Sequence, residues 1–146
     1  MLVLVLVLVP SSTLASPGWT LTVPDRVELV AGAGGALPIA IDIDRGLSIS
    51  KDAGLLLDLS PEGGVAITRQ RLGRGDAVDP DAESPRFSVP LRAQAAGDYR
   101  VKLHLRFWLC GQRTCRPVDA RRTVAIAVSA PTAAPPPATP PPAPAR

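Results

Sequence analysis

Tyr99-Arg-Val-Lys-Leu-His-Leu-Arg-Phe107 runs on through Trp108-Leu109-Cys110 and Gly111-Gln-Arg-Thr-Cys115 to Arg116-Pro117. Apolar and polar residues alternate through it. Val101, Leu103, Leu105 and Phe107 fall on one side; Arg100, Lys102, His104, Arg106 and Trp108 fall on the other. Successive side chains of a strand point to opposite faces, so this period of two indicates a half-buried β-strand. Continued without a bulge, the alternation turns Leu109 inward and Cys110 onto the outward, cationic face. Phe107, Trp108 and Leu109 are apolar at three consecutive positions, and a bulge there would reverse that parity.

The same alternation recurs along the chain. It is found in Trp19–Val23, Leu37–Ile43, Leu55–Leu59, Val65–Thr68, Phe87–Leu91 and Thr123–Val128, each bounded by Gly, Pro, Asp or Ser clusters. Seven short strands separated by turn signals predict an all-β, immunoglobulin-like antiparallel β-sandwich. No segment carries a sustained helical period, and there is no internal repeat. Residues 16–130 are the length of one small domain with a single core.

Both ends differ in composition from this region. Met1–Pro10 is almost entirely Leu and Val, and Ser11-Ser-Thr-Leu-Ala-Ser16 follows. A short apolar run before a small-residue site (Thr13-Leu14-Ala15) reads as a signal peptide over residues 1–15, with a buried strand over Leu2–Val9 as the alternative. The run is shorter than the roughly 20 residues of a membrane span, so stable membrane insertion is not expected. The positive n-region is missing, which leaves the true start codon open. No cysteine follows the run, so no lipoprotein anchor is expected. Residues 131–146 contain only Pro, Ala, Thr and one Arg, and hold eight of the chain's 17 prolines. Proline fixes φ and lacks an N–H, so this tail reads as a solvated, disordered spacer. The protein is expected in the periplasm or secreted.

Cys110 and Cys115 are the chain's two cysteines. Flanking a four-residue turn, they can be joined across a hairpin mouth: opposed Cα atoms of an antiparallel pair lie about 4.5–5.5 Å apart, within the roughly 4.4–6.8 Å range of disulfides. Such a bridge is either a local staple or a redox centre. Closing so short a loop removes little entropy from the unfolded chain, which places its stabilisation at the low end of about 2–4 kcal/mol. Arg106, Arg113 and Arg116 are close in sequence, with Arg121 and Arg122 on the returning strand; between Asp98 and Arg122 there are seven Lys/Arg and two Asp. Cations favour thiolate and quicken exchange. The alternative reading of the same charges is a solvated basic strand face.

Other chemistries lack their residues. One His and two Cys do not complete a four-ligand zinc site, so no metal is expected. Cys-x-x-Cys and haem-attachment spacings are absent, and His104 has no partners for a hydrolytic triad. No cofactor is expected. Arg74-Gly75-Asp76 lies in a Gly/Asp/Pro-rich loop and reads as a turn. Asp76, Asp79, Asp81 and Glu83 fit no calcium-loop spacing and read as a solvated acidic loop. No nucleic acid is expected, for lack of aromatic interleaving or any matching motif.

The order of strands, Gly97-Asp98-Tyr99, alternating strand, Trp108, Cys110, Cys115-Arg116-Pro117 and final strand resembles the amino-terminal periplasmic domain of DsbD-type thiol:disulfide interchange proteins. The resemblance covers roughly Trp19 to Val128. It implies an immunoglobulin-like domain whose Cys110 and Cys115 are the redox pair, followed by Pro117. Arg106, Trp108, Arg113 and Arg116 would be supporting residues. The partner would be a thioredoxin-fold protein or a DsbD-like membrane reductase. The chain departs from that family in having four intervening residues rather than five, Arg116 at the aromatic position, and no aromatic in residues 69–85 to cap the disulfide. Thiol–disulfide exchange is therefore the first expectation, with either cysteine as the attacked sulfur. A non-enzymatic envelope-binding or spacer domain with a structural local disulfide is the alternative.

Overall fold

The computed structural model describes residues 10–132; the apolar run over residues 1–9 and residues 133–146 of the Pro/Ala-rich tail lie outside the described residues. The strands in chain order are β1 (Ser11–Ser16), β2 (Trp19–Pro24), β3 (Arg26–Val30), β4 (Gly34–Ile43), β5 (Ser48–Ile49), β6 (Leu55–Glu62), β7 (Val65–Ala66), β8 (Arg71–Gly73), β9 (Arg86–Ala93), β10 (Gly97–Cys110) and β11 (Cys115–Ser129). They form two sheets, ordered β1-β2-β4-β9-β7 and β3-β11-β10-β6-β8, with β5 paired to the end of β10. The fold is thus an all-β, immunoglobulin-like antiparallel sandwich, as the alternation predicts. The only parallel pairing among these strands is β3 with β11.

All seven expected strands are present. Val65–Thr68 is shortened to two residues, whereas the Tyr99 and Thr123 segments lengthen into β10 and β11. β1, β3, β5 and β8 were not expected. β3 carries Arg26 and Glu28 and buries only Leu29; its partner β11 lies about a hundred residues on, a distance that local pattern does not span. Asp25 marks the crossing from β2 in one sheet to β3 in the other, its carbonyl accepting from the Ala125 N–H at 3.0 Å.

Inward positions fill a dry core. Leu21, Leu37, Ile39 and Ile41 from the first sheet meet Leu57, Val101, Leu103, Leu105 and Ile126 from the second, all fully or nearly fully buried. Trp19 packs edge-to-face on Phe107, ring centroids 5.7 Å apart, an arrangement that complements the aromatic quadrupoles. No polar or charged residue is buried among the described residues. Burial alternates along β10 to its end: Leu109 is buried, Trp108 is 43% exposed. The register with β11 is unbroken from Gly97–Val128 to Cys110–Cys115. No bulge intervenes, and Cys110 keeps its outward parity.

Where β10 begins, the Tyr99 hydroxyl donates to the Ala95 carbonyl oxygen at 3.0 Å. A tyrosine at this corner, bonded back to the preceding loop, is a hallmark of immunoglobulin sandwiches. Its ring lies over Gly63, where φ is +82° and a Cβ would come within 2.5 Å of Cδ1. The corner fixes the entry of the strand that carries the cysteine. Tyr99→Phe is expected to destabilise the domain by about 1 kcal/mol, the net worth of one hydrogen bond. Urea unfolding of the two proteins measures it, and an unchanged midpoint would remove the corner's role.

Candidate functional site

The site is built on the β10–β11 hairpin. Gly111, Gln112, Arg113 and Thr114 form the loop, closed by a 2.9 Å hydrogen bond from the Gly111 N–H to the Thr114 carbonyl. Hydrogen-bonded and non-hydrogen-bonded pairs alternate in an antiparallel ladder, so the next pair, Cys110 with Cys115, is of the non-bonded kind, where side chains stand closest. Their Cα atoms are 4.0 Å apart and the sulfurs are joined. Cys110 is half-buried, flanked on its other side by Ser48 of β5; Cys115 is exposed. The bridge lies at the tip of the molecule and does not cross between the sheets.

Beside it on the outward face, Trp108 is paired with Pro117. These two residues, with Ala53, Leu55, Leu56 and Val118, line an open groove of about 470 Å³ whose polar rim is Arg106 and Asp119. The indole is a large apolar surface left in water next to the sulfurs. The sequence showed that Trp108 faces outward. It did not show that the β5–β6 loop would come alongside to complete the groove.

The arginines do not form the common cationic shell that their spacing suggested. Arg106 Nη2 donates to Asp58 Oδ2 at 2.6 Å, and Arg71 Nε donates to Asp58 Oδ1 at 2.8 Å. Arg116 is paired with Leu109 and so has inward parity; its guanidinium donates to the Pro17 carbonyl in the β1–β2 turn. That contact ties the hairpin tip to the first sheet, on the side away from the cysteines. Arg122 likewise sits opposite Leu103, whereas Arg121 faces outward near Asp119. Of the expected supporting residues, Trp108, Pro117 and Arg106 share the sulfurs' face, and Arg113 is exposed in the loop between them.

The rest of the outward face is laced by opposite charges. Lys102 Nζ lies 2.7 Å from Glu62 Oε1, and His104 Nε2 lies 2.9 Å from Asp119. Hydrogen bonds from Arg71, and then Arg106, hold the Asp58 carboxyl below its ordinary range against the opposing cost of desolvation. Lys102 does the same for Glu62, and His104, aided by Arg121 and Arg106, for Asp119. Sequence reasoning missed Asp58 and Asp119 as partners. The outward position of Asp58 was legible in Leu55–Leu59, but its neighbours come from β8 and β10.

The Arg74-Gly75-Asp76 triplet is a single 3-10 turn, its charges turned to local use. Arg74 donates to the Pro80 and Ala82 carbonyls at 3.0 and 2.8 Å. Asp76 accepts from the Gly73 N–H at 2.8 Å and pairs with Arg69. Asp79 accepts from the Asp81 N–H at 3.0 Å, an Asx-type turn. The loop reads as a turn, as expected.

No protein-family model matches the sequence, and no curated protein is similar to it. Among solved structures, the chain is similar to the major subunit AggA of Escherichia coli aggregative adherence fimbriae type I, at 12% identity and a TM-score of 0.42, over 76% of this chain and 94% of that one. It is similar also to murine CRIg (11%, TM-score 0.41, 76% and 98% covered). The CooA pilin subunit of enterotoxigenic Escherichia coli matches at 11% identity and a TM-score of 0.25, over 72% and 90% of the two chains.

The depressed carboxyls set a pH dependence. The folded protein holds Asp58, Glu62 and Asp119 below their unfolded values and so binds fewer protons than the unfolded chain at mildly acid pH. Their contribution is present above the unfolded values near pH 4 and is lost as pH falls through the depressed folded ones. Thermal unfolding between pH 7 and 3 is expected to show stability dropping below about pH 4. Asp58→Asn should make that drop shallower, and an identical slope in the variant would contradict it.

Proposed function

We propose that this protein is an exported thiol–disulfide interchange domain acting through Cys110 and Cys115. The observation that carries the reading is the position of the bridge, solvent-accessible at a hairpin tip, outside the core and beside an exposed indole. A dry apolar interior of this extent has little need of a local staple. Disulfides that exchange must be reachable by an in-coming thiolate, whereas inert ones are buried.

The proposed step is a balanced exchange. A thiolate of a partner dithiol, of the thioredoxin-fold or DsbD-like membrane reductase class, attacks the exposed Cys115 Sγ. The Cys110–Cys115 bond breaks, its electron pair leaves on Cys110 Sγ, and that thiolate takes a proton from water. The partner's second thiol, deprotonated, then attacks the partner sulfur of the mixed disulfide and releases Cys115. The partner dithiol is oxidised to a disulfide, and this pair is reduced to two thiols. Trp108 and Pro117 offer the partner its docking surface, and Arg113 is the loop cation nearest in sequence to the leaving thiolate.

Export belongs to the same proposal: a leader over residues 1–15, cleaved after Ala15, with the domain released to the periplasm or medium. Among the described residues no helix is long and apolar enough to cross a membrane.

A second reading is favoured by Arg106 and Arg116 being engaged elsewhere, which leaves the sulfurs less cationic than their sequence neighbourhood. In it the bridge is a staple of a non-enzymatic envelope-binding or spacer domain. Redox titration against glutathione separates the two. Exchange predicts a potential above about −300 mV, since structural bridges usually lie below it. It also predicts that Cys110→Ser traps a mixed disulfide through Cys115 more readily than the converse variant does. A potential well below that value, with neither variant trapping a partner, would establish the staple. Trp108→Ala should slow exchange with the partner while leaving the potential unchanged; a shifted potential with an unaltered rate would deny the groove its docking role.

A further inference from the structure

β2 is the strand whose edge depends on another segment of the chain for its cover. Its sequence, Trp19-Thr-Leu-Thr-Val-Pro24, holds no charge and no glycine, and only its terminal proline blunts the edge. The outermost strands other than β1 are guarded. β7 is two residues long, β8 is three and carries Arg71, and β3 carries Arg26 and Glu28. Short length and charge are the usual protections against edge-to-edge pairing. β2 has instead β1, paired antiparallel along its whole length from Ser11–Pro24 to Ser16–Trp19.

The direction of each β2 peptide group follows from its neighbours. The Ile41 N–H donates away from β2, to the Pro85 carbonyl, and the Asp44 N–H donates to the Gly18 carbonyl. Since bonded pairs alternate along an antiparallel ladder, Thr20 and Thr22, opposite Asp42 and Ala40, turn their N–H and C=O groups to β4. Trp19, Leu21 and Val23 turn theirs to β1. Cleavage after Ala15 would remove five of the six β1 residues and leave these groups without a strand.

We infer that processing uncovers the β2 edge and that a second copy of the chain pairs with it, β2 antiparallel to β2. The inference rests on the export reading above and is independent of the cysteine chemistry. One two-fold register uses every uncovered group. Leu21 stands opposite Leu21 of the second copy, Trp19 opposite its Val23, and Val23 opposite its Trp19. All three are core-facing residues, buried to within 4% of completeness, so this register keeps inward side chains inward across the dyad. A slip by one residue would oppose Leu21 to Thr22 and send the apolar set to the solvent face. Thr20 then lies opposite Thr22 of the second copy on the outer face, and the first sheet becomes continuous through both copies. An isologous two-fold contact of this kind closes on itself and does not propagate into a fibre.

The test uses the protein exported by its own leader, with its amino terminus read by mass spectrometry and its molar mass by light scattering after size exclusion. The expected result is a chain beginning at Ser16 with twice the monomer mass. Thr20→Lys with Thr22→Lys puts like charges opposite each other across the dyad and should return the mass to that of a monomer. Thr20→Lys with Thr22→Glu puts opposite charges there and should keep the dimer, which controls for folding of the charged variants. Cys110→Ser with Cys115→Ser should dimerise as the parent does. A chain that begins elsewhere than Ser16 would overturn the processing premise. A monomer beginning at Ser16, or equal masses for the two charge variants, would overturn the pairing itself. A Ser16 monomer that instead binds a peptide of residues 11–16 would also overturn it, by showing that the edge takes a strand from another source.

Discussion

The strict alternation of β10 against an unbroken β11 ladder is the constraint on which the rest of this molecule depends. Every second side chain from Val101 to Leu109 is buried, and a one-residue slip would carry all of them into water. At about 1.5–3 kcal/mol for each buried aliphatic or aromatic side chain, exposing that face would cost about as much as the whole stability of an ordinary domain. The register is therefore held along its length by burial. What happens at the tip is a consequence: the last pair of the ladder is Cys110 with Cys115, on the outward parity, because Leu109 is needed inside.

That arrangement puts the disulfide outside the core, at the end of the β10–β11 ladder. In many immunoglobulin sandwiches a bridge spans the two sheets through the core, where it is sealed from reagents. Here Trp19 and Phe107 meet in the interior with no sulfur between them, and the sulfurs are displaced to the solvent end. Arg116 makes the tertiary connection that the bridge does not, reaching from the hairpin tip to the Pro17 carbonyl. Arg106 is drawn the other way, into a shared ion pair at Asp58. Exposed ion pairs are individually worth little, so this outward ladder chiefly neutralises a face whose sequence looked basic.

Much of the fold was legible in advance because a period of two is a local property. Leu37–Ile43, Leu55–Leu59 and Phe87–Leu91 announced themselves through their own residues. Val27 and Leu29 alternate as well, yet β3 holds its place through a parallel partner near the carboxyl end of the domain. The site divides in the same manner. Trp108, Pro117 and the outward cysteine could be placed by parity and turn length. The engagement of Arg106 could not, since Asp58 is 48 residues away in sequence. Arg116 differs from Arg106 in its face of the sheet, a distinction that appears only when the register across the hairpin is counted from both ends.

The sequence by itself determined the β-class, the single apolar face of each long strand and the short span between the cysteines; the outward parity of Cys110 followed only because no bulge breaks the β10–β11 register. Those are consequences of side-chain order along a chain whose geometry repeats every two residues. Tertiary structure alone decided that Arg71 and Arg106 meet at Asp58 and that the β5–β6 loop completes a groove beside Trp108. Each of those depends on strand order within a sheet, which is settled by summed burial over the whole core and leaves no mark in any one segment.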